Sequence, residues 1–330
     1  MNGTNNSISV ALCTYNGAKY LKEQLWSITE QSLSPMELVV SDDCSSDETI
    51  KILDNFKNYS IFPVRIFKNN IRKGVVKNFE GVIRRCRGNY VAICDQDDLW
   101  LPEKLANSAQ AMKNAELQYG KDTPLLVHCD LKVSNVDGKV IAPSFMKLNQ
   151  IKIVEKDPLR NLLVQNFVTG CTVFINRPLI EIALPIPEDA LMHDWWLALI
   201  AATKGMIISI SEPMVIYRQH DLNVVGSKVF FSISNIRRLA NLPFLEADLA
   251  ATIKQGLAYK KKITEHLDYK PPEYLERFLD HAGKNGFKTA LTVLRYNIRM
   301  NPWFRNVVFI LLLFKGGYIH YLRSDSENNV

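Results

Sequence analysis

The chain has no apolar run long enough to cross a bilayer. Its longest, Val307 to Phe314, holds eight residues, against the ~20 that a spanning helix needs. Its start, Met1 to Ser7, is short and polar, unlike the apolar core of a secretory leader. The six cysteines, Cys13, Cys44, Cys86, Cys94, Cys129 and Cys171, form no CxxC pair and sit mostly in apolar runs, as buried free thiols in a reducing compartment do. There is no internal repeat and no low-complexity stretch. These absences together point to a cytoplasmic chain that does not cross a membrane.

With 47% hydrophobic and 22% charged residues, the composition is that of a globular protein with a sizeable core, not of a disordered, collagen-like or coiled-coil chain. The 330 residues give length for about two domains. The net charge of +6 is uneven: residues 1–226 carry 24 Lys/Arg against 25 Asp/Glu, and residues 227–330 carry 16 against 9. A balanced body over 1–226 is therefore followed by a basic appendage over 227–330, helical and aromatic in pattern.

Within the first 130 residues strand and helix signals alternate. Apolar runs at Ile8–Cys13, Glu37–Ser41, Val64–Phe67, Tyr90–Cys94 and Leu125–Val133 read as strands, continuous as in a sheet covered on both faces. Helical spacing follows each of the first four, and Ser45 with Glu48 fits a capping box. Alternation of this kind predicts a mainly parallel sheet. Ligands of such sheets bind beyond the carboxyl ends of the strands. Thr14-Tyr15-Asn16, Asp42-Asp43 and Asp95-Gln96-Asp97-Asp98 each follow an apolar strand directly, so the three clusters are expected on one rim. From Asn161 to Tyr217 the pattern is mixed, with a strand near Val173–Asn176, a helix from about Asp194 to Lys204, and short strands at Ile207–Ile210 and Met214–Tyr217.

Three carboxylates fall within the four residues Asp95 to Asp98. Unpaired, they would repel one another and resist ionising, and a divalent cation removes that conflict. Hard oxygen ligands suit Mg2+ or Mn2+, which bridge carboxylates to phosphate oxygens. A solvated acidic loop is the plain alternative, but the strand-end position and the second pair Asp42-Asp43 favour a site. Phosphatases with an aspartyl nucleophile also use a strand followed by DxD. They place it on the first strand, whereas here it follows the fourth.

Thr14-Tyr15-Asn16-Gly17, Ser41-Asp42-Asp43-Cys44-Ser45-Ser46-Asp47, Asn70 with Gly74 and Asn78, and Asp95-Gln96-Asp97-Asp98 resemble, in that order, the family 2 glycosyltransferases of GT-A fold. The resemblance covers about residues 7–226. Val168-Thr169-Gly170-Cys171-Thr172, Met192-His193-Asp194-Trp195-Trp196 and Tyr217-Arg218-Gln219-His220 with Asn223 and Gly226 are similar to the rhamnosyltransferases of bacterial cell-wall and capsular polysaccharides. It implies an α/β GT-A fold: a Rossmann-like, mainly parallel mixed sheet flanked by helices, with a helical C-terminal extension. The nucleotide-sugar half would occupy about 7–133 and the acceptor half about 134–226.

Residue roles follow from the resemblance. Thr14, Tyr15 and Asn16 would line the base pocket, with Asp42 accepting from the pyrimidine N3–H. Asp43, Lys73 and Gln96 would join the nucleotide-sugar site, Asp95 would bind the ribose, and Arg218 the diphosphate. Asp97 and His220 would ligate Mg2+ or Mn2+, with Asp98 supporting them. Asp194 would be the catalytic base of an inverting transfer, its plain alternative being a helix N-cap. Asp130, Thr169, Gly170, Cys171, His193, Trp195 and Trp196 would shape the donor-sugar or acceptor pocket. Because Trp195 and Trp196 cannot share one helix face, one of the two belongs to the core. The QxxRW pattern of processive synthases is missing, which favours addition of one or a few sugars.

The implied donor is dTDP-β-L-rhamnose, with a UDP-hexose as the alternative, and the acceptor a saccharide, lipid-linked, in cell-wall, capsule or O-antigen synthesis. No nucleic acid partner is expected. A non-catalytic nucleotide-sugar scaffold is a further alternative, against which the set Asp95, Asp97, Asp194 and His220 argues. A sugar nucleotidyltransferase would carry a Gly-rich phosphate loop after the first strand, which Thr14-Tyr15-Asn16-Gly17 is not. In the appendage, Trp and basic residues flank the apolar Val307–Phe314. Two readings stay open: peripheral membrane contact through 295–322 at the cytoplasmic face, or a helical extension whose core is Val307–Phe314.

Overall fold

The computed structural model describes residues 7–153, 156–220 and 241–327. Asn223 and Gly226, and the 226/227 boundary, lie outside the described residues. The chain divides into two compact units: Met1–Phe145, Val168–Ile186 and Met192–Gly226 form the first, and Met146–Phe167, Pro187–Leu191 and Ser227–Val330 the second.

The first unit is built on one mixed sheet. Its strands are β1 (Ile8–Thr14), β2 (Glu37–Asp42), β3 (Val64–Lys68), β4 (Tyr90–Cys94), β5 (Leu99–Trp100), β6 (Leu125–Ser134), β7 (Val140–Ala142), β8 (Phe174–Asn176) and β9 (Met206–Arg218). They run in the order β3-β2-β1-β4-β8-β6-β9-β5, with β7 beside β6. The pairs β3/β2, β2/β1 and β1/β4 are parallel, as the strand–helix alternation predicts. Helices α1 (Leu21–Thr29), α2 (Thr49–Tyr59) and α3 (Val75–Arg85) supply the crossovers, and α4 (Lys104–Tyr119) leads from β5 to β6. Val10, Ala11, Leu12, Val39, Val40 and Val91 to Cys94 are fully buried, which explains why these strands are apolar without alternation.

Sequence order reverses beside β1, with β2 on one side and β4 on the other. That switch point is where an open parallel sheet leaves a crevice at its carboxyl edge. Beyond β4 the sheet turns antiparallel through β8. The two short strands expected at Ile207–Ile210 and Met214–Tyr217 are one strand, β9, parallel to β6, with bulges around Asp130. Two-residue β5 pairs antiparallel with β9 and places Leu99 opposite Ile216. The strand therefore returns Arg218 and His220 to the neighbourhood of the Asp95–Asp98 loop. Short helices α5 (Phe145–Leu148) and α6 (Leu159–Leu162) come next; α7 (Arg177–Ala183) and α8 (His193–Lys204) follow β8.

The second unit is helical: α9 (Leu242–Glu265), α10 (Glu273–Ala282), α11 (Gly286–Tyr296), α12 (Trp303–Lys315) and α13 (Tyr318–Glu327). Asn241 and Asn285 cap α9 and α11 by accepting from the Phe244 and Lys288 amides. Segments 146–167 and 187–191, which the sequence places in the acceptor half, belong to this unit. Asn161 donates to the Arg299 carbonyl at 2.9 Å, Gln165 exchanges two hydrogen bonds with Asn301, and the Tyr274 hydroxyl donates to Asp157 at 2.8 Å. Among the described residues no helix is long and apolar enough to cross a membrane.

Candidate active site

The three strand-end clusters do meet on the carboxyl rim. Thr14 stands at the register of Asp42, and its hydroxyl donates to Asp42 Oδ2 at 2.8 Å. The Ser45 amide and hydroxyl also donate to Asp42. A carboxylate has about four acceptor positions, so one remains on Oδ1. Ser45 is thus a partner of Asp42 and of the Asn16 amide, not the first member of a capping box. Helix α2 begins at Thr49, whose amide donates to Asp47 at 3.0 Å. Asn16 has a φ of 47° and accepts from the Ser46 amide at 2.8 Å, so its side chain fixes the turn.

Asp43 is buried and accepts from the Lys73 amide at 2.7 Å, the Gly74 amide at 2.8 Å and Asn69 at 2.9 Å. Gly74 has a φ of 78°, a conformation glycine adopts without strain. Asp43 therefore anchors the loop before α3, while the Lys73 side chain is exposed. Asn69, not Asn70, makes the loop's bonds, to Asp43 and to Asn78, which in turn donates to the Ser41 carbonyl.

Gln96 joins two of the clusters. Its Oε1 accepts from the Tyr15 amide at 2.9 Å and its Nε2 donates to the Tyr15 carbonyl at 3.0 Å. The exposed Tyr15 ring lies under Arg72, whose guanidinium carbon is 3.9 Å from the ring centroid. Nothing in the sequence pattern singles out Arg72, which sits in a polar loop.

The acidic loop has the electrostatics of a cation site. Burial, then Asp97 and Asp194, push the Asp95 carboxyl up to about 8. Burial, then Asp97 and Asp95, push that of Asp98 well above the carboxylate range. Asp95, Asp97 and Asp194 thus lie within electrostatic reach of one another. Asp97 Oδ2 is 2.8 Å from His220 Nε2, and the His220 ring stacks on Tyr20 with centroids 4.9 Å apart. Carboxylate oxygens beside one imidazole nitrogen fit Mg2+ or Mn2+. Asp95, Asp98 and Cys171 also have ligand atoms within 4.8 Å of one another. Burial keeps the Cys171 thiol protonated, and it hydrogen-bonds to Asp98, so that trio does not fit a hard cation.

Arg218 braces the acidic loop. Its Nε donates to the Asp97 carbonyl at 3.2 Å, Nη1 to the Val136 carbonyl at 3.1 Å and Nη2 to Glu23 at 2.5 Å. Its guanidinium also lies 4.6 Å from the Tyr20 ring centroid. Through these bonds Arg218 holds the acidic loop to Glu23 and Val136. Tyr20, which directly precedes α1, is the platform for both Arg218 and His220.

Asp194 lies in the first turn of α8, whose N-cap is Met192. It is buried and accepts from the Trp195 amide at 2.6 Å, so it is not the N-cap residue. The positive end of the helix favours an anion here. Gly170 lies in a single 3-10 turn, Gly170–Thr172. A Cβ added there would lie 3.0 Å from His193 Nε2 and 3.4 Å from Asp194 Oδ2. His193 is buried face to face with Phe79 at 3.9 Å, and burial pushes it down to about 3, leaving it neutral. Trp196 is fully buried and donates to the Ala183 carbonyl at 2.9 Å; it belongs to the core, with Trp195 on the more exposed side. The Thr169 carbonyl accepts from the Thr172 amide at 2.9 Å. Asp130 is buried at the β6 bulge, where Ser144 and the Leu131 amide donate to it, and its carboxylate is occupied locally.

Residues 9–121 match Glycosyl transferase family 2. It is 29% identical over 218 residues to an uncharacterized protein of Mycobacterium bovis, a match covering 64% of this chain and 59% of that one. The chain thus spans less than two thirds of that relative's length. It is 28% identical over 232 residues to the dTDP-rhamnosyl transferase RfbG of Shigella flexneri, covering 67% and 75% of the two chains. In structure it resembles the mannosyltransferase PcManGT from Pyrobaculum calidifontis, solved with GDP-Man and Mn2+. The TM-score is 0.54 and the identity 18%, over 98% of this chain and 86% of that one. The fold is accordingly GT-A, with a helical C-terminal region.

Proposed function

We propose that this chain is an inverting, metal-dependent glycosyltransferase. It moves L-rhamnose from dTDP-β-L-rhamnose onto a hydroxyl of a lipid-linked saccharide in surface polysaccharide synthesis. The observation that carries the reading is the meeting of Asp95, Asp97 and His220 on the carboxyl rim, with Asp194 in electrostatic reach. Rhamnose is favoured by the motifs around Asp194 and His220 and by the likeness to RfbG.

In this reading Thr14, Tyr15 and the open acceptor position of Asp42 hold the base, and Asp95 the ribose. Asp97 and His220 hold Mg2+ or Mn2+, which when bound neutralises the departing nucleoside diphosphate. Asp194 takes the proton of the acceptor hydroxyl as that oxygen attacks the anomeric carbon from the face opposite the leaving group. General-base help of this kind contributes about 10²–10⁴-fold. Gly170 leaves the carboxylate room, and Gln96 and Arg218 position the two rim loops.

Calorimetric titration with dTDP-rhamnose, UDP-glucose and UDP-galactose, each with Mn2+ and with EDTA, tests the donor site. Metal-dependent preference for dTDP-rhamnose is expected. Preference for a UDP-sugar would retain the site and overturn the donor, and binding of none would overturn the site.

A further inference from the structure

Two helices of the second unit carry an exposed apolar face. On α11, Phe287, Leu291 and Leu294 recur at helical spacing with 57%, 47% and 54% exposure. On α12, Trp303, Val307, Leu311 and Phe314 do the same, with Trp303 74% and Leu311 61% exposed. The opposite side of α12 is buried through Phe309, Leu312 and Leu313. Helix α12 therefore has one exposed and one buried apolar side.

The two stripes are continuous. Helices α11 and α12 pack together, and the Phe287 and Phe314 rings lie 5.5 Å apart, edge inclined to face. That contact brings the start of α11 beside the end of α12, so the pair is antiparallel. Gly286 has no room for a Cβ against the Leu313 carbonyl, which fixes the close approach. A stripe this long on a water-soluble surface marks an interaction site.

Charge says what covers it. Residues 281–324 contain seven Lys/Arg and no Asp or Glu. Lys315 pairs with Glu246 at 3.0 Å, and Arg305 lies within reach of Asp248. Lys284, Lys288, Arg295 and Arg299 are exposed around the apolar stripe. Large apolar side chains flanked by these exposed cations match an anionic lipid leaflet, where the chains enter the headgroup boundary and the cations meet lipid phosphates. At 13 residues, α12 is far too short to span.

We propose that the α11–α12 hairpin seats the chain on an anionic membrane surface. This rests on the second unit's face alone and not on the donor-site reading, so donor titration and lipid binding fail independently. The test is co-sedimentation of the full chain with vesicles of phosphatidylcholine alone and of phosphatidylcholine with phosphatidylglycerol, at low and high salt. Expected is binding to the anionic vesicles only, weakened by salt and reduced about tenfold or more by Leu291→Glu with Leu311→Glu. Lys288→Glu with Arg295→Glu, which alters only exposed side chains, should reduce it as well. Equal binding to neutral vesicles, binding to neither, or a concentration-dependent dimer that Leu311→Glu dissolves in a chain that ignores vesicles would each overturn the proposal.

Discussion

Asp97 Oδ2 and His220 Nε2 lie 2.8 Å apart although 123 residues separate them in the chain. They meet because β9 returns beside β5 and because Tyr20 stacks on the imidazole. If the pair holds the cation, His220→Ala and Asp97→Asn should each weaken Mn2+-dependent donor binding about tenfold or more. Binding in EDTA should be left nearly unchanged. Titration of both variants, with and without metal, checks this.

The close approach of Gly170 to Asp194 makes a second test. Gly170→Ala would push against Asp194 Oδ2 and against a His193 ring already clamped on Phe79. We expect kcat to fall about 10–100-fold while donor affinity barely moves. Equal loss of both would mean that the turn shapes the donor site instead.

Stability at low pH should depend on Glu37. Burial opposes its ionisation, but the Arg87 amide, the Arg65 guanidinium and the Ser9 hydroxyl outweigh burial and hold its pKa below 4.5. The stabilisation is therefore fully present above the unfolded value and is lost as pH falls through the lower folded one. Glu37→Gln should cost about 1–3 kcal/mol at neutral pH, and the difference from wild type should shrink below pH 4.5. Urea unfolding of both proteins across that range measures it.

Tyr20 offers a test of positioning. Tyr20→Ala removes the platform under His220 and Arg218 and should weaken Mn2+-dependent donor binding, whereas Tyr20→Phe keeps the ring and should restore it. A rescue by Phe separates stacking from any role of the hydroxyl.

Much of the site was legible because parallel strands announce their own ends: an apolar run followed by Thr14, Asp42 or Asp95 places each on the carboxyl rim. What sequence cannot display is how a polar side chain is used once it arrives. Asp42 and Asp43 are neighbours of the same type, yet Asp42 is held by Thr14 and Ser45 while Asp43 is held by Asn69 and the Lys73–Gly74 turn. Arg218 also ties Glu23 to the acidic loop, a role that nothing near it in the chain displays. Tyr20 and Arg72 carry no signal in the sequence, since His220 and Tyr15, the rings they meet, are far along the chain. The bulged β9 read as two strands because Ser211, Glu212 and Pro213 interrupt its apolar pattern.

The most direct measurement compares Asp194→Asn with wild type for donor binding and for transfer, using the donor that titration selects. If Asp194 is the base, transfer falls about 10²–10⁴-fold and donor affinity stays nearly the same. Loss of donor binding, or transfer at the wild-type rate, would contradict that assignment.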